Sequence, residues 1–244
     1  MRKSNTLMWF SVLMLTCAGT LAQAGTVDFV SCPANGTFGP LAPPIHSGSV
    51  FIPGAGLSAS LAYYKASEGV GVFAPVGWQC REWYGSGEIT LVVAPHAVSP
   101  SYGRKINGPA VTVTSIDGGT SGMIPAEQLI SQLFPKQDTA FVKWVKSDEK
   151  GDYFPLKNYS RPFIDKKIFH RVSPTLLEFT ASASRTAFGA GGKLSAVAQS
   201  SGGMVMLVPP KAWPGVIIVR VRLPASQGEL LSVILKLMVA RHSS

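Results

Sequence analysis

The chain has 244 residues, of which 46% are hydrophobic and 14% charged, with a formal charge of +9 and three cysteines. That length buries one sizeable core, or two small ones, without a framework of cross-links. The basic excess favours an acidic partner, but no nucleic-acid signature accompanies it, and nucleic acid is set aside.

Arg2 and Lys3 form a positive n-region, Leu7 to Leu15 is an apolar run too short to cross a bilayer, and Ala22-Gln23-Ala24 has the small-x-small pattern of a signal-peptidase site. Residues 1–24 therefore read as a secretory signal peptide cleaved after Ala24, not as a membrane span. Cys17 follows Thr16, where a lipoprotein signal wants Gly, Ala or Ser, which argues against lipidation. The expected product is a single exported domain, residues 25–244, periplasmic or secreted. Its 220 residues (244 − 24) carry +7, because Arg2 and Lys3 are the only charges removed. Cys32 and Cys80 remain, and in an oxidising compartment two cysteines predict one disulfide; the alternative is two buried free thiols.

Along the exported part, an apolar stretch at 27–30 precedes a loop rich in Pro and Gly at 33–44. Short runs at 49–52, 61–65, 70–74 and 89–94 are rich in Val, Phe and Tyr and separated by Gly and Pro, the pattern of strands and turns. Residues 111–116 alternate Val with Thr, as in a half-buried strand, and Asp117-Gly118-Gly119 supplies the turn after it. A helix is predicted over about 125–134. Ala126, Leu129, Ile130, Leu133 and Phe134 share one face, and Glu127, Gln128, Ser131 and Gln132 take the other. Pro125 suits its first turn and Pro135 ends it.

Phe141 to Val145 fits either a strand or a helix and is read as a strand. A charged stretch overlaps it, with basic Lys143, Lys146, Lys150, Lys157, Arg161, Lys166, Lys167 and Arg171 against Asp148, Glu149, Asp152 and Asp165. It is either a docking surface for an acidic partner or a solvated loop, and the interspersed acids favour the loop. Strands are predicted at 176–180, 204–208 and 216–223, the last two forming a hairpin broken by Pro209, Pro210 and Pro214. In the last run Arg220 and Arg222 oppose Val219, Val221 and Leu223, which predicts one wet face. The segment at 230–240 is too short to span a membrane and carries Lys236. It reads as a packed helix over about 227–241, with Ser226 to Glu229 as a capping box. The fold class is α+β, mainly antiparallel short strands with a mid-chain and a C-terminal helix.

Catalytic and metal patterns fail on context. His46, His96, His170 and His242 pair with no His, Cys or Glu at short ligand spacing, so no metal and no cofactor is expected. Gly69 to Ala74 matches G-x-G-x-x-A, yet Pro75 follows where a dinucleotide fold needs a helix. Ser147 to Lys150 matches S-x-x-K without the companion elements of penicillin-recognising enzymes. Thr120-Ser121-Gly122 lacks a nucleophile elbow, and Gly191-Gly192-Lys193 lacks a phosphate loop.

The densest segment is Gly77-Trp78-Gln79-Cys80-Arg81-Glu82-Trp83-Tyr84-Gly85-Ser86-Gly87, which runs into Leu91-Val92-Val93-Ala94-Pro95. Its aromatics fit an aromatic plug over the disulfide, or a binding patch of Trp78, Arg81, Trp83 and Tyr84; the structural reading carries more weight. These motifs, with Gly119 to Gly122, Leu133-Phe134-Pro135 and Val219 to Pro224, resemble an uncharacterised family of exported bacterial proteins. The resemblance implies an envelope protein and brings no activity or site residue.

The function expected is a non-catalytic periplasmic or secreted binding protein, in one version an inhibitor or immunity protein. Its partner would be a protein or an anionic envelope polymer, met by the aromatic segment and by Lys143, Lys146, Lys166 and Lys167. The rivals are an envelope hydrolase with dispersed residues, for which His96, His170, Asp117 and Ser121 are the candidates, and a structural component of an envelope assembly.

Overall fold

The computed structural model describes residues 25–46, 48–53, 58–99, 106–147, 164, 168–181, 201–209 and 213–242. The signal-like segment, Lys166, Lys167, most of the charged stretch and the Gly191–Lys193 run lie outside the described residues.

The elements in chain order begin with β1 (Gly25–Ser31), β2 (Ala34–Gly36), β3 (Gly39–Leu41), β4 (Ser49–Ile52), β5 (Leu61–Lys65) and β6 (Val72–Pro75). Then come β7 (Gln79–Tyr84), β8 (Glu88–Ala94), β9 (Ala110–Ile116), α1 (Met123–Leu133) and α2 (Thr139–Ser147). The chain closes with β10 (Phe169–Ser173), β11 (Leu176–Ala181), β12 (Ser201–Val208), β13 (Gly215–Arg222) and α3 (Leu230–His242). The strands form a four-stranded sheet, β4-β1-β5-β6, and a nine-stranded sheet, β10-β11-β12-β13-β9-β8-β7-β2-β3. Among the described residues only β1–β5 and β2–β7 pair in parallel, so the fold is α+β with mainly antiparallel strands. Among the described residues no helix is long and apolar enough to cross a membrane.

Strand alternation divides the long sheet into two faces. Leu91, Val93, Val111, Val113, Met204, Met206, Ile217, Val219 and Val221 share one core with Tyr64 and Phe73 of the small sheet and Ile234 and Met238 of α3. Val205, Leu207, Val216, Ile218, Leu177 and Phe179 point the other way, against Ala126, Leu129, Ile130 and Leu133 of α1. The hydrophobic effect thus closes the sheet from both sides over β11–β13. The disulfide forms between Cys32 and Cys80, with Cα atoms 5.4 Å apart, and ties the chain just beyond β1 to β7.

Several expectations need correction. Residues 141–145 are not a strand but the middle of α2. Phe141 and Val145, four apart, are buried while Lys143, Trp144 and Lys146 are exposed, a helical period hidden behind the strand-favouring valines. This helix packs on α1, which explains a second departure. Glu127 and Gln128, assigned to a wet face, are buried, and Lys146 Nζ lies 3.8 Å from Glu127 Oε1.

Arg222 likewise points into the protein. It is buried and donates from Nε to the Gly108 carbonyl at 2.5 Å and from Nη2 to the Ile106 carbonyl at 2.9 Å. Burial pushes the Arg220 guanidinium down to about 10, an effect opposed by the nearby Glu88 carboxylate. The loop over 33–44 contains the short hairpin β2–β3, and the charged stretch runs into the unpredicted β10. Ser226 lies in a 3-10 turn, Ala225–Gln227, and the terminal α-helix opens only at Leu230.

Candidate functional site

Two features are built around the turn that leaves β9. Asp117 Oδ1 accepts the Gly119 N–H at 3.0 Å, fixing the Asp117-Gly118-Gly119 turn read from the sequence. On one side of this turn stand three aromatic rings. Trp144 of α2 and Trp213, just before β13, stack with centroids 4.6 Å apart and planes inclined by 20°. Phe141 supports both, at 6.3 Å from Trp144 and 6.4 Å from Trp213. The glycines of the turn permit this packing: a β carbon on Gly119 would meet Trp213 Cδ1 at 3.1 Å.

Phe141 is buried, but Trp144 and Trp213 are 43% and 45% exposed. Two large apolar rings stacked on each other and each still half in solvent are uncommon on a protein surface and mark a contact site. Lys143 and Lys146 are exposed on the same helix. The result is a stacked aromatic platform on a helix that also carries exposed Lys143, while Lys146 reaches Glu127 of α1.

On the other side of the turn lies an open cleft of about 490 Å³. Its polar walls include Asn35, Thr37, Ser86, Glu88 and Ser121, with Trp83 at its floor. The Ser86 and Ser121 hydroxyls are 2.6 Å apart. Glu88 Oε1 accepts the Thr90 hydroxyl at 3.1 Å. The β7–β8 turn and the start of α1 meet here backbone to backbone. Asp117 N–H donates to the Gly87 carbonyl at 3.2 Å, and a β carbon on either Gly87 or Gly122 would overlap the opposing chain. No His, Lys or Cys lines the cleft among the described residues, so its chemistry is that of hydroxyls, an amide and a carboxylate.

The aromatic segment singled out in the sequence is placed differently. Trp83 and Tyr84 are buried, and Tyr84 Oη donates to the Gly39 carbonyl at 2.7 Å. Trp78 is half-buried against the main core, its N–H donating to Tyr64 Oη at 3.1 Å. Tyr64 Oη in turn donates to the Pro75 carbonyl at 2.7 Å, and burial raises its pKa while the Trp78 N–H opposes the shift. Arg81 is half-buried, with a buried Nε that has no hydrogen-bond partner among the described residues. Trp78 just precedes β7 and the others lie on it; β7 is three places from β13 in the sheet, so they do not join the platform beside Trp213.

The hydrolase candidates are also kept apart. Strand register sets Glu88 opposite Ile116 and Val93 opposite Val111. His96 therefore follows one end of the β8–β9 pair and Asp117 the other, about 20 Å away by strand rise. His170 is exposed on β10, four strands from β9, roughly 19 Å by strand spacing. Ser121 meets Ser86, not a base. Among the described residues no cluster of three His, Cys, Asp or Glu is placed to hold a metal.

The residues missed in the sequence are Trp144 and Trp213. Trp144 was hidden by reading its segment as a strand. Only the helical spacing of Phe141 and Val145 turns it outward. Trp213 sits in a proline-rich turn, a position where a large apolar side chain has few neighbours to bury it.

No protein-family model matches the chain, and no curated protein and no solved structure matches it either.

Proposed function

We propose that the protein is a non-catalytic binding protein of the cell envelope or its exterior, holding a protein or an anionic envelope polymer at the Trp144–Trp213 platform. The observation that carries this reading is the stacked, half-exposed indole pair, one of whose rings stands on a helix that also bears exposed Lys143. Aromatic anchors supply contact area at little entropic cost, and an exposed lysine on the same helix speeds encounter with an acidic partner. Export is supported by the signal-like first 24 residues together with the Cys32–Cys80 bridge. An inhibitor or immunity protein is one form such a binder takes.

The test is retention of envelope material by the immobilised, disulfide-intact protein. The Trp144→Ala/Trp213→Ala double variant retains under a tenth of what the parent does, since losing anchors of this kind costs about 2 kcal/mol or more. Lys143→Glu slows association chiefly at low salt. Equal retention by the parent and the double variant refutes the proposal.

A further inference from the structure

We propose that Asn107 is a self-modification site, where the backbone nitrogen of Gly108 attacks the Asn107 side-chain amide and the residue becomes aspartate or isoaspartate. The reaction takes water as its only co-reactant and changes the charge of the loop that leads into β9. It is independent of the binding role proposed above.

The chemistry favours asparagine followed by glycine. The glycine nitrogen bonds to the asparagine Cγ, the Cγ–NH2 bond breaks, and ammonia leaves with the proton of the glycine N–H. The cyclic succinimide that results is opened by water at either imide C–N bond. One opening gives aspartate, the other isoaspartate, and the net change is amide plus water to carboxylate plus ammonium. A β carbon on the second residue crowds the ring closure, and glycine has none.

The sequence holds Asn-Gly at 35–36 and at 107–108, and the fold treats them oppositely. Asn107 is exposed in the connection between β8 and β9. Gly108 has a φ of +83°, a conformation open to glycine. Among the described residues, nothing but its chain neighbours lies within 4 Å of the place its β carbon would take. Asn107 also lines a cavity of about 240 Å³ together with His96 and Ser99, which gives water room beside the imide.

Asn35 and Gly36 are half-buried in β2, which pairs with β3 on one side and β7 on the other. Extended backbone held on both edges does not turn the Gly36 nitrogen onto the Asn35 Cγ. The space is closed as well, because a β carbon on Gly36 would overlap the Tyr84 carbonyl and ring.

Arg222 gives the change its consequence. Its guanidinium bonds the Ile106 and Gly108 carbonyls, one on each side of Asn107 in the chain. Aspartate keeps that spacing and brings a negative charge into the loop the guanidinium holds. Isoaspartate adds a CH2 to the main chain between the same carbonyls and draws them out of step with the guanidinium.

The experiment incubates the disulfide-intact protein at mildly alkaline pH, folded or in urea, and follows each asparagine by peptide mapping with mass spectrometry. In the folded protein Asn107 is expected to convert about tenfold or more faster than Asn35, a barrier difference of roughly 1.4 kcal/mol or more. In urea the rates converge, because only the fold separates the sites. Gly108→Ala slows conversion at Asn107 by about tenfold or more, and Asn107→Ser leaves no product there. Thermal melting of each variant separates loss of the site from loss of the fold.

Equal rates at the two asparagines of the folded protein overturn the proposal. So does an Asn107 that stays intact in the folded protein while it converts in urea. Conversion of a folded Gly108→Ala variant at the parent's rate overturns it too.

Discussion

Glu82 is fully buried in the main core region, yet it is bound on both oxygens by the backbone. Oε1 accepts the Glu68 N–H at 3.1 Å and Oε2 the Gly69 N–H at 2.9 Å, while Lys65 Nζ donates to the Gly69 carbonyl at 2.6 Å. The carboxylate thereby holds the turn between β5 and β6 against β7. Glu82→Gln keeps the size but presents one acceptor and one NH2 to two donors. One N–H is left buried and unpaired, and a charge-assisted bond is lost, for an expected cost of about 2–3 kcal/mol.

The pH dependence has a definite sign. Burial raises the Glu82 pKa above its usual 4.5, and the two N–H bonds and Lys65 only partly oppose this. Between the unfolded value and the higher folded value the native state binds more protons than the unfolded one. Stability contributed by Glu82 is therefore greatest at the acid end and declines as pH rises through that window. The assay is urea unfolding of the disulfide-intact protein and of Glu82→Gln from pH 4 to pH 8. The parent's advantage should shrink as pH rises through the window and then level at about 2 kcal/mol, a difference of roughly 4–8 °C in melting temperature. Equal stabilities, or a pH-independent difference, would refute the reasoning.

Three further outcomes follow from the packing. Replacing Cys32 and Cys80 by serine opens a loop with a sequence separation of 48 and should lower stability by about 4 kcal/mol on the chain-entropy model, with added reductant having no further effect. Arg222→Met leaves the Gly108 and Ile106 carbonyls without their guanidinium donor; denaturant titration should show a loss of about 2–4 kcal/mol, and a loss below 0.5 kcal/mol would contradict the bonding described. Gly119→Ala pushes on Trp213 at 3.1 Å, so tryptophan emission should shift while stability changes by less than about 1 kcal/mol. An unaltered spectrum would mean that Trp213 does not rest on this turn.

Much of the strand pattern was readable because alternation is local. Val111 to Ile116, Leu61 to Lys65 and Ser49 to Ile52 each emerged within a residue or so of their strand limits. The disulfide was readable from cysteine number and the export signal. The candidate site was not. Its indoles stand 69 positions apart, 144 and 213, and meet only because α2 packs beside the turn leading into β13. The cleft likewise joins Asn35 of β2 with Ser86 and Ser121 from two separate connections.

Misreadings arose where a second layer covers an element. Polar residues that look solvent-facing in one helix or strand, such as Glu127 and Arg222, are buried once a neighbouring layer lies over them. By itself, the sequence determined the class of fold, most strand and helix positions and the cysteine pairing, because short-range periodicity and residue chemistry carry that information. Tertiary structure alone decided which faces are dry, that Trp83 and Tyr84 serve the core, and that Trp144 and Trp213 form the platform. Those outcomes depend on which layer packs over which, a relation between residues distant in the chain that no local pattern encodes.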